Sequence, residues 1–324
     1  ADGLLLALLP RTGRSFGPVT PPLLGLTLTH TAVFFAAGLL RPTAPALLLS
    51  GGLNLALSAT AWYATWIEPF RLIVERQELR SPKLAGGGTV RLLHISDLHV
   101  EHLSPREREL LRRVEELKPD LVVITGDYLT ISSIEDSVSQ GEVRELLARL
   151  SEAAAGPVYA ITGSPPVDPP HVVPAIFAGL DIRWLLDETT DLELNGQSLR
   201  LIGLRCTADR ERDGARLRRL LADRPADRFT VLLYHSPDLM PEASALGIDL
   251  YLCGHTHGGQ IRLPVFGALF TSSAFWKRYE MGRYEERGTT LYVSRGLGME
   301  GAGAPRARFL APPEIVLWTL GAPK

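Results

Sequence analysis

Cysteine is nearly missing from this chain of 324 residues: only Cys206 and Cys253 occur. So low a count excludes a disulfide framework and agrees with a reducing, cytoplasmic setting. Cys253 closes a short apolar run and reads as a small buried strand residue. A surplus of either charge is also missing, because 34 Lys and Arg face 36 Asp and Glu for a net charge of −2. That balance argues against a surface built to coat nucleic acid, and no nucleic-acid partner is expected. No internal repeat or low-complexity tract is present. With 45% hydrophobic residues, the chain can build one large core or two smaller ones.

Charge disappears almost completely from residues 15–67, where Arg41 is the only ionised side chain. It divides the stretch into two uncharged halves, each longer than the ~20 residues a helix needs to cross a bilayer. Residues 23–40 and 44–66 read as a transmembrane hairpin with Arg41-Pro42-Thr43 as its turn. Trp62, Tyr63 and Trp66 suit the membrane interface at the second exit. His30, within the first span, is placed to hydrogen-bond across the hairpin. Two buried helices of a soluble domain form the competing reading, and a cleaved signal peptide fits poorly, since there are two long segments and no small-residue cleavage pattern. Arg11 and Arg14 precede the first span, and Arg71, Arg76, Arg80 and Lys83 follow the second. The positive-inside rule then puts a multi-pass protein in the inner membrane with its C-terminal part on the cytoplasmic side. Leu4 to Leu9 reads as the remnant of a further apolar segment, and a complete extra span would invert that topology. Charged residues resume near Phe70, dividing a membrane region, 1–69, from a folded domain, 70–324.

Within the folded domain, short runs rich in Val, Ile and Leu end in polar pairs. Arg91-Leu92-Leu93-His94-Ile95 precedes Asp97 and His99, and Leu121-Val122-Val123-Ile124 precedes Gly126-Asp127. Leu250-Tyr251-Leu252-Cys253 precedes Gly254-His255-Thr256-His257-Gly258-Gly259-Gln260, while Phe229-Thr230-Val231-Leu232-Leu233-Tyr234 precedes His235. Runs this short read as buried strands, so the carboxylates and imidazoles fall on loops at strand ends. Such side chains hold divalent metals. Ser104-Pro105-Arg106-Glu107 combines an N-cap, a proline at the first helical position and a capping-box glutamate. Leu110, Leu111, Val114 and Leu117 then recur at helical spacing, which completes a βαβ unit. A second helix is expected over 141–154 with Val143, Leu146, Leu147 and Leu150 inward, and a third pattern surrounds 215–221. His94 is expected to pack within its strand, and His102 has no evident role.

In order and spacing these motifs resemble the calcineurin-like metallophosphoesterases, in particular the bacterial membrane-associated branch with Ser-Asp-Leu-His and Gly-His-Thr-His-Gly-Gly-Gln. The resemblance runs from about Phe70 to Trp318 and includes Ser294-Arg295-Gly296-Leu297-Gly298. It implies an α/β fold, a four-layer αββα sandwich, here preceded by the transmembrane hairpin. It also implies two divalent ions of manganese, iron or zinc. Asp97, His99 and His257 would hold one, His235 and His255 the other, and Asp127 would bridge them. Asp127 and His255 would be catalytic, and a hydroxide generated at the paired metals would attack phosphorus.

One loop departs from the family pattern. After the strand ending at Ile161 the family carries Gly-Asn-His-Asp or Gly-Asn-His-Glu, whereas this chain reads Gly163-Ser164-Pro165-Pro166. Ser164 can serve as a weak metal ligand in place of the asparagine, but Pro165 has no polar side-chain atom to replace the histidine. Asp168 and His171 are candidates to compensate. Losing a proton donor costs typically ~10²- to 10⁴-fold for poor leaving groups, so a pyrophosphate or activated diester is the expected substrate. A membrane anchor adds lipid-linked substrates, such as the UDP-2,3-diacylglucosamine cleaved by some relatives. The alternative is a catalytically impaired pseudoenzyme with a binding or regulatory role. Arg262 and Arg295 are read as substrate-binding groups. Lys277 and Arg278 read as solvated surface, while Trp276 and Tyr279 are candidates to cover a substrate or to pack in the core.

Overall fold

The computed structural model describes residues 2–39, 43–222, 227–300 and 306–323. Three helices lead the chain: α1 (Asp2–Arg11), α2 (Thr20–Leu39) and α3 (Ala44–Trp62). α2 and α3 occupy the two uncharged halves of the sequence, and the turn read at Arg41-Pro42 lies outside the described residues. Both are long and apolar enough to cross a membrane, with 0% and 6% of their most apolar windows buried. The rest of the chain thus leaves both helices largely uncovered. His30 does bond across the hairpin, through Nδ1 to Asn54 Oδ1, and its Nε2 meets Asp2 Oδ2 of α1 at 2.8 Å.

The strands of the first half are β1 (Ile73–Arg80), β2 (Val90–Ile95), β3 (Leu121–Ile124), β4 (Val158–Ala160), β5 (Arg183–Trp184), β6 (Glu188–Leu194) and β7 (Gln197–Gly203). Those of the second half are β8 (Phe229–Leu233), β9 (Leu250–Cys253), β10 (Arg262–Leu263), β11 (Gly267–Ala268), β12 (Gly282–Glu286), β13 (Thr289–Val293) and β14 (Glu314–Gly321). They form two six-stranded mixed sheets, ordered β1-β14-β2-β3-β4-β5 and β12-β13-β9-β8-β7-β6, and a small hairpin of β10 and β11. In the first sheet β2 through β5 run parallel, and in the second so do β7, β8, β9 and β13.

Alternate side chains of a strand point to opposite faces, and both faces of the central strands are apolar. From β8, Phe229, Val231 and Leu233 enter the core between the sheets, together with Leu92 and Val123 of the facing sheet. Leu232 turns outward to Leu217 and Ala243 on the helices Arg210–Leu220 and Met240–Ala245. On the other side, Leu93 and Ile95 meet Leu110, Val114 and Leu147 of α4 (Pro105–Leu117) and α5 (Ser137–Ala153). Three apolar interfaces thus separate four layers in the order helix, sheet, sheet, helix. The capping box of α4 forms as read, with the Ser104 N–H donating to Glu107 Oε2 at 2.8 Å. α5 starts four residues earlier than expected, because Asp136 accepts from the Val138 and Ser139 amides and caps the helix there.

His94 lies wholly inside β2, its Nε2 2.8 Å from Thr125 Oγ1 and its Nδ1 without a hydrogen-bond partner. Burial pushes its pKa from 6.5 down to about 3, so the folded chain holds it neutral. The unfolded chain therefore binds the extra proton first, and stability present above pH 6.5 declines as pH falls toward about 3. The contribution approaches about 1.4 kcal/mol per pH unit. Urea unfolding of the purified chain at a series of pH values is expected to show a shallower acid decline for His94→Gln than for the unaltered protein.

Candidate metal centre

Every polar pair singled out in the sequence lies just past the carboxyl end of a strand: Asp97 and His99 after β2, Asp127 after β3, Ser164 after β4, His235 after β8, and His255 and His257 after β9. The two sheets present these ends to a common edge, the usual place for ligands in layered α/β folds. Leaving the strands abruptly forces the backbone into the left-handed region at five of the six candidate ligands. Asp97, His99, Asp127, His255 and His257 have φ of 49°, 39°, 58°, 72° and 51°. Each such residue costs of order 1–3 kcal/mol, and strain of this kind clusters at functional sites.

Asp97, His99 and His257 offer ligand atoms within 4.8 Å of one another, and so do Asp127, His235 and His255. Asp127 joins the two sets, because its Oδ2 stands 3.2 Å from His235 Nε2 and 3.6 Å from His99 Nε2. Backbone carbonyls fix three of the four imidazoles. His99 Nδ1 meets Leu129 O at 3.0 Å, His235 Nδ1 meets Thr125 O at 2.8 Å, and His255 Nε2 meets Ser272 O at 3.3 Å. A carbonyl only accepts, so those nitrogens carry a proton and the opposite ones face inward, where they would ligate an ion once deprotonated. His235 Nε2 and His255 Nδ1 consequently face each other at 3.2 Å. Two bare lone pairs held that close repel, so without an ion one of the two nitrogens carries a proton toward the other; burial would lower the pKa of His235, but Asp127 beside it raises the pKa of that imidazole.

Other groups also fit cations. Asp97 Oδ2 and His257 Nδ1 are buried without hydrogen-bond partners, a costly state for polar atoms. Burial would raise the Asp127 pKa, but the facing His235, His99 and His255 hold its carboxyl well below the usual range. Burial and the nearby His99 push His257 well down toward the neutral, ligating form. The donor set of two carboxylates and four imidazoles suits manganese, iron or zinc.

Ser164 enters the second set. Its Oγ is 3.1 Å from His235 Nε2, 3.2 Å from His255 Nδ1 and 3.3 Å from Asp127 Oδ2, while its amide donates to Asp127 Oδ1 at 2.6 Å. Pro165 and Pro166 line the adjoining cleft of about 550 Å³, together with Arg210, Tyr234, Ser236 and Asp238. Arg210 was not expected there from sequence, since nothing in its helical segment marks it.

Four further candidates are engaged outside the donor sets. Asp168 does not turn toward the donor sets: its oxygens accept from the amides of Asp127 at 2.8 Å, Tyr128 at 3.0 Å and Gly163 at 2.7 Å. Burial and the neighbouring Asp127 push its pKa up to about 7. His171 is exposed and paired with Glu135 at 2.9 Å. Arg262 binds Glu280 at 2.8 Å and Gly258 O at 2.7 Å. Arg295 is drawn between Glu75 and Glu314, and neither arginine is among the residues lining the cleft. Glu300, whose Oε2 lies 3.3 Å from His99 Nδ1, was missed because no strand or motif signal distinguishes it.

Residues 90–259 match the family model of the calcineurin-like phosphoesterases. The chain belongs to that family and is a hydrolase acting on phosphoester bonds, with the divalent-metal dependence that the family shares. It is 29% identical over 269 residues to an uncharacterized metallophosphoesterase, YkuE, of Bacillus subtilis, covering 80% of this chain and 88% of the relative. It is 26% identical over 319 residues to the UDP-2,3-diacylglucosamine pyrophosphatase LpxG of Chlamydia trachomatis, covering 81% and 94%. The phosphodiesterase YaeI of Escherichia coli is 28% identical over 260 residues, covering 76% and 88%.

Gly254 tests how tightly the loops are fitted. A Cβ there would lie 1.9 Å from Asp97 Oδ2 and 2.1 Å from Ser96 Oγ. Gly254→Ala is expected to displace Asp97 and halve the manganese retained per chain, measured by elemental analysis, while circular dichroism shows the secondary structure intact.

Proposed function

We propose that this chain is a membrane-anchored phosphohydrolase that cleaves a pyrophosphate or phosphodiester bond, with a lipid-linked nucleotide such as UDP-2,3-diacylglucosamine as its substrate class. One observation carries the reading: two three-residue donor sets joined by the single carboxylate of Asp127. Asp97, His99 and His257 would hold one divalent ion, His235 and His255 the second, and Asp127 both, with Ser164 as a weak further donor. Bound there, such ions supply Lewis acidity toward phosphoryl oxygens and a strong nucleophile at neutral pH.

The chain's own residues define what that chemistry can serve. The loop that follows β4 places Pro165 at the cleft, so it donates no proton to a departing oxygen. Substrates whose leaving group is already a stable anion, such as a nucleoside monophosphate, need none. Arg210, whose Nη2 pairs with Glu242 at 3.0 Å, reaches the cleft wall and can neutralise a phosphate there. Residues 1–69 would form the membrane region, and Arg71, Arg76, Arg80 and Lys83 after it favour a cytoplasmic hydrolase domain by the positive-inside rule. The likeness to the chlamydial pyrophosphatase supports the substrate class.

The purified full chain with manganese is expected to hydrolyse UDP-2,3-diacylglucosamine, and Asp127→Ala is expected to lose more than about 100-fold in kcat/KM, since shared metal stabilisation is worth several kcal/mol. Undiminished turnover by that variant would refute the assignment. Ser164→Asn brings a longer, stronger oxygen donor to the second set. Titration with manganese should show tighter binding of the second ion for this variant, with no change in the first.

A further inference from the structure

Beside the cleft stands an apolar projection that none of the foregoing chemistry uses. β10 and β11 form a two-stranded hairpin whose loop, Pro264-Val265-Phe266, leaves Val265 wholly exposed and Phe266 more than half exposed. Val265 also has φ of 65°, unfavourable for a β-branched residue. Leu263, Leu269, Phe270 and Trp276 add further exposed apolar surface. A water-facing turn is ordinarily built from Gly, Pro, Asn, Asp or Ser, so the exposed Val265 and Phe266 stand out beside Pro264, and exposed apolar surface gathered around one hairpin points to a partner.

Contacts at the hairpin's base indicate which partner. The Arg262 amide donates to Phe309 O at 2.9 Å, and the Phe309 amide donates back to Gln260 O at 3.0 Å. The adjoining residue, Arg308, donates its amide to Ala64 O at 2.8 Å, and the Phe309 ring packs edge-on to Tyr63, centroids 6.3 Å apart. Tyr63 and Ala64 directly follow the end of α3. The hairpin is therefore fastened to the exit of an apolar helix, and its tip lies three residues beyond Arg262, about 10 Å of extended chain. Lys277 supplies a cation at the tip, bonded to Phe266 O and 3.6 Å from the centroid of the Phe266 ring. Apolar and aromatic side chains flanked by lysine are the composition of a surface that lies in a bilayer interface. Two residues past Phe270, Ser272 to Ala274 line the cleft.

We infer that the Val265-Phe266 hairpin, with Phe270 and Trp276, dips into the lipid interface at the exit of α3, so that the cleft opens at the bilayer surface and receives the head group of a substrate whose acyl chains stay in the membrane. This inference rests on the membrane-anchored reading above and adds the element that joins site to lipid.

The test uses the full chain in phosphatidylcholine vesicles, with an environment-sensitive fluorophore on Val265→Cys, since Cys206 and Cys253 are buried. Blue-shifted emission, quenched by nitroxide-bearing acyl chains, is expected. Water-like emission without quenching would overturn the inference, as would energy transfer between differently labelled copies in place of lipid quenching, which would assign the patch to a second copy of the chain. A Val265→Asp, Phe266→Asp variant is expected to lose several-fold in turnover of vesicle-embedded substrate but none toward soluble bis-p-nitrophenyl phosphate; equal losses on both would also overturn it. Quenching in a chain that hydrolyses neither substrate would sink the phosphohydrolase reading and leave the lipid contact standing.

Discussion

The carboxylate of Asp168 locks together the loops that leave the neighbouring parallel strands β3 and β4. It accepts amide protons from Asp127 and Tyr128, which follow β3, and from Gly163, which follows β4. In return Asp127 accepts the amide of Ser164. Net hydrogen-bond energies are about 1 kcal/mol each, but an orphaned buried amide costs more than a made bond returns. The reciprocal set therefore holds Asp127 in a conformation that its backbone alone disfavours. Since Asp127 is the group touching both donor sets, the separation of those sets depends on this junction.

The rest of the centre follows from how closely the two sheets bring their strand ends. Glycines admit the approach: Gly163 packs on Asp127, and Gly254 on Asp97. Carbonyls from Leu129, Thr125 and Ser272 orient the imidazoles before any ion arrives. Such preorganisation is possible because the apolar layers on both sides of each sheet leave the loops little freedom to relax. Desolvation then sharpens every charge interaction among the ligands.

Much of this was legible in the sequence. Short aliphatic runs marked the buried strands, and polar pairs immediately beyond them marked the common edge, because chain direction fixes which end of a parallel strand carries a loop. The capping box of α4 and the uncharged halves forming α2 and α3 were local signals too. What stayed hidden depends on contacts between distant residues. Asp168 looked like a substitute donor because its spacing from Ser164 was visible, whereas its bonds to Asp127 and Tyr128 were not. The ion pairs of Arg262 and Arg295 were hidden for the same reason, their partners Glu280, Glu75 and Glu314 being identified only by packing. Arg308 escaped notice altogether, yet it is wholly buried and donates to the carbonyls of Gly298, Ala311, Arg295 and Gly296.

The contact of His30 with Asn54 and Asp2 bears on the apolar N-terminal helices rather than on the hydrolase. Greasy cylinders in a hydrocarbon solvent have little to stop them rotating or sliding past one another, because lipid covers any face as well as a neighbour does. A single imidazole bridging an amide on α3 and a carboxylate on α1 singles out one rotational setting of three segments. The same setting determines where Tyr63 and Ala64 leave α3, and with them how the hydrolase domain is oriented on the apolar helices.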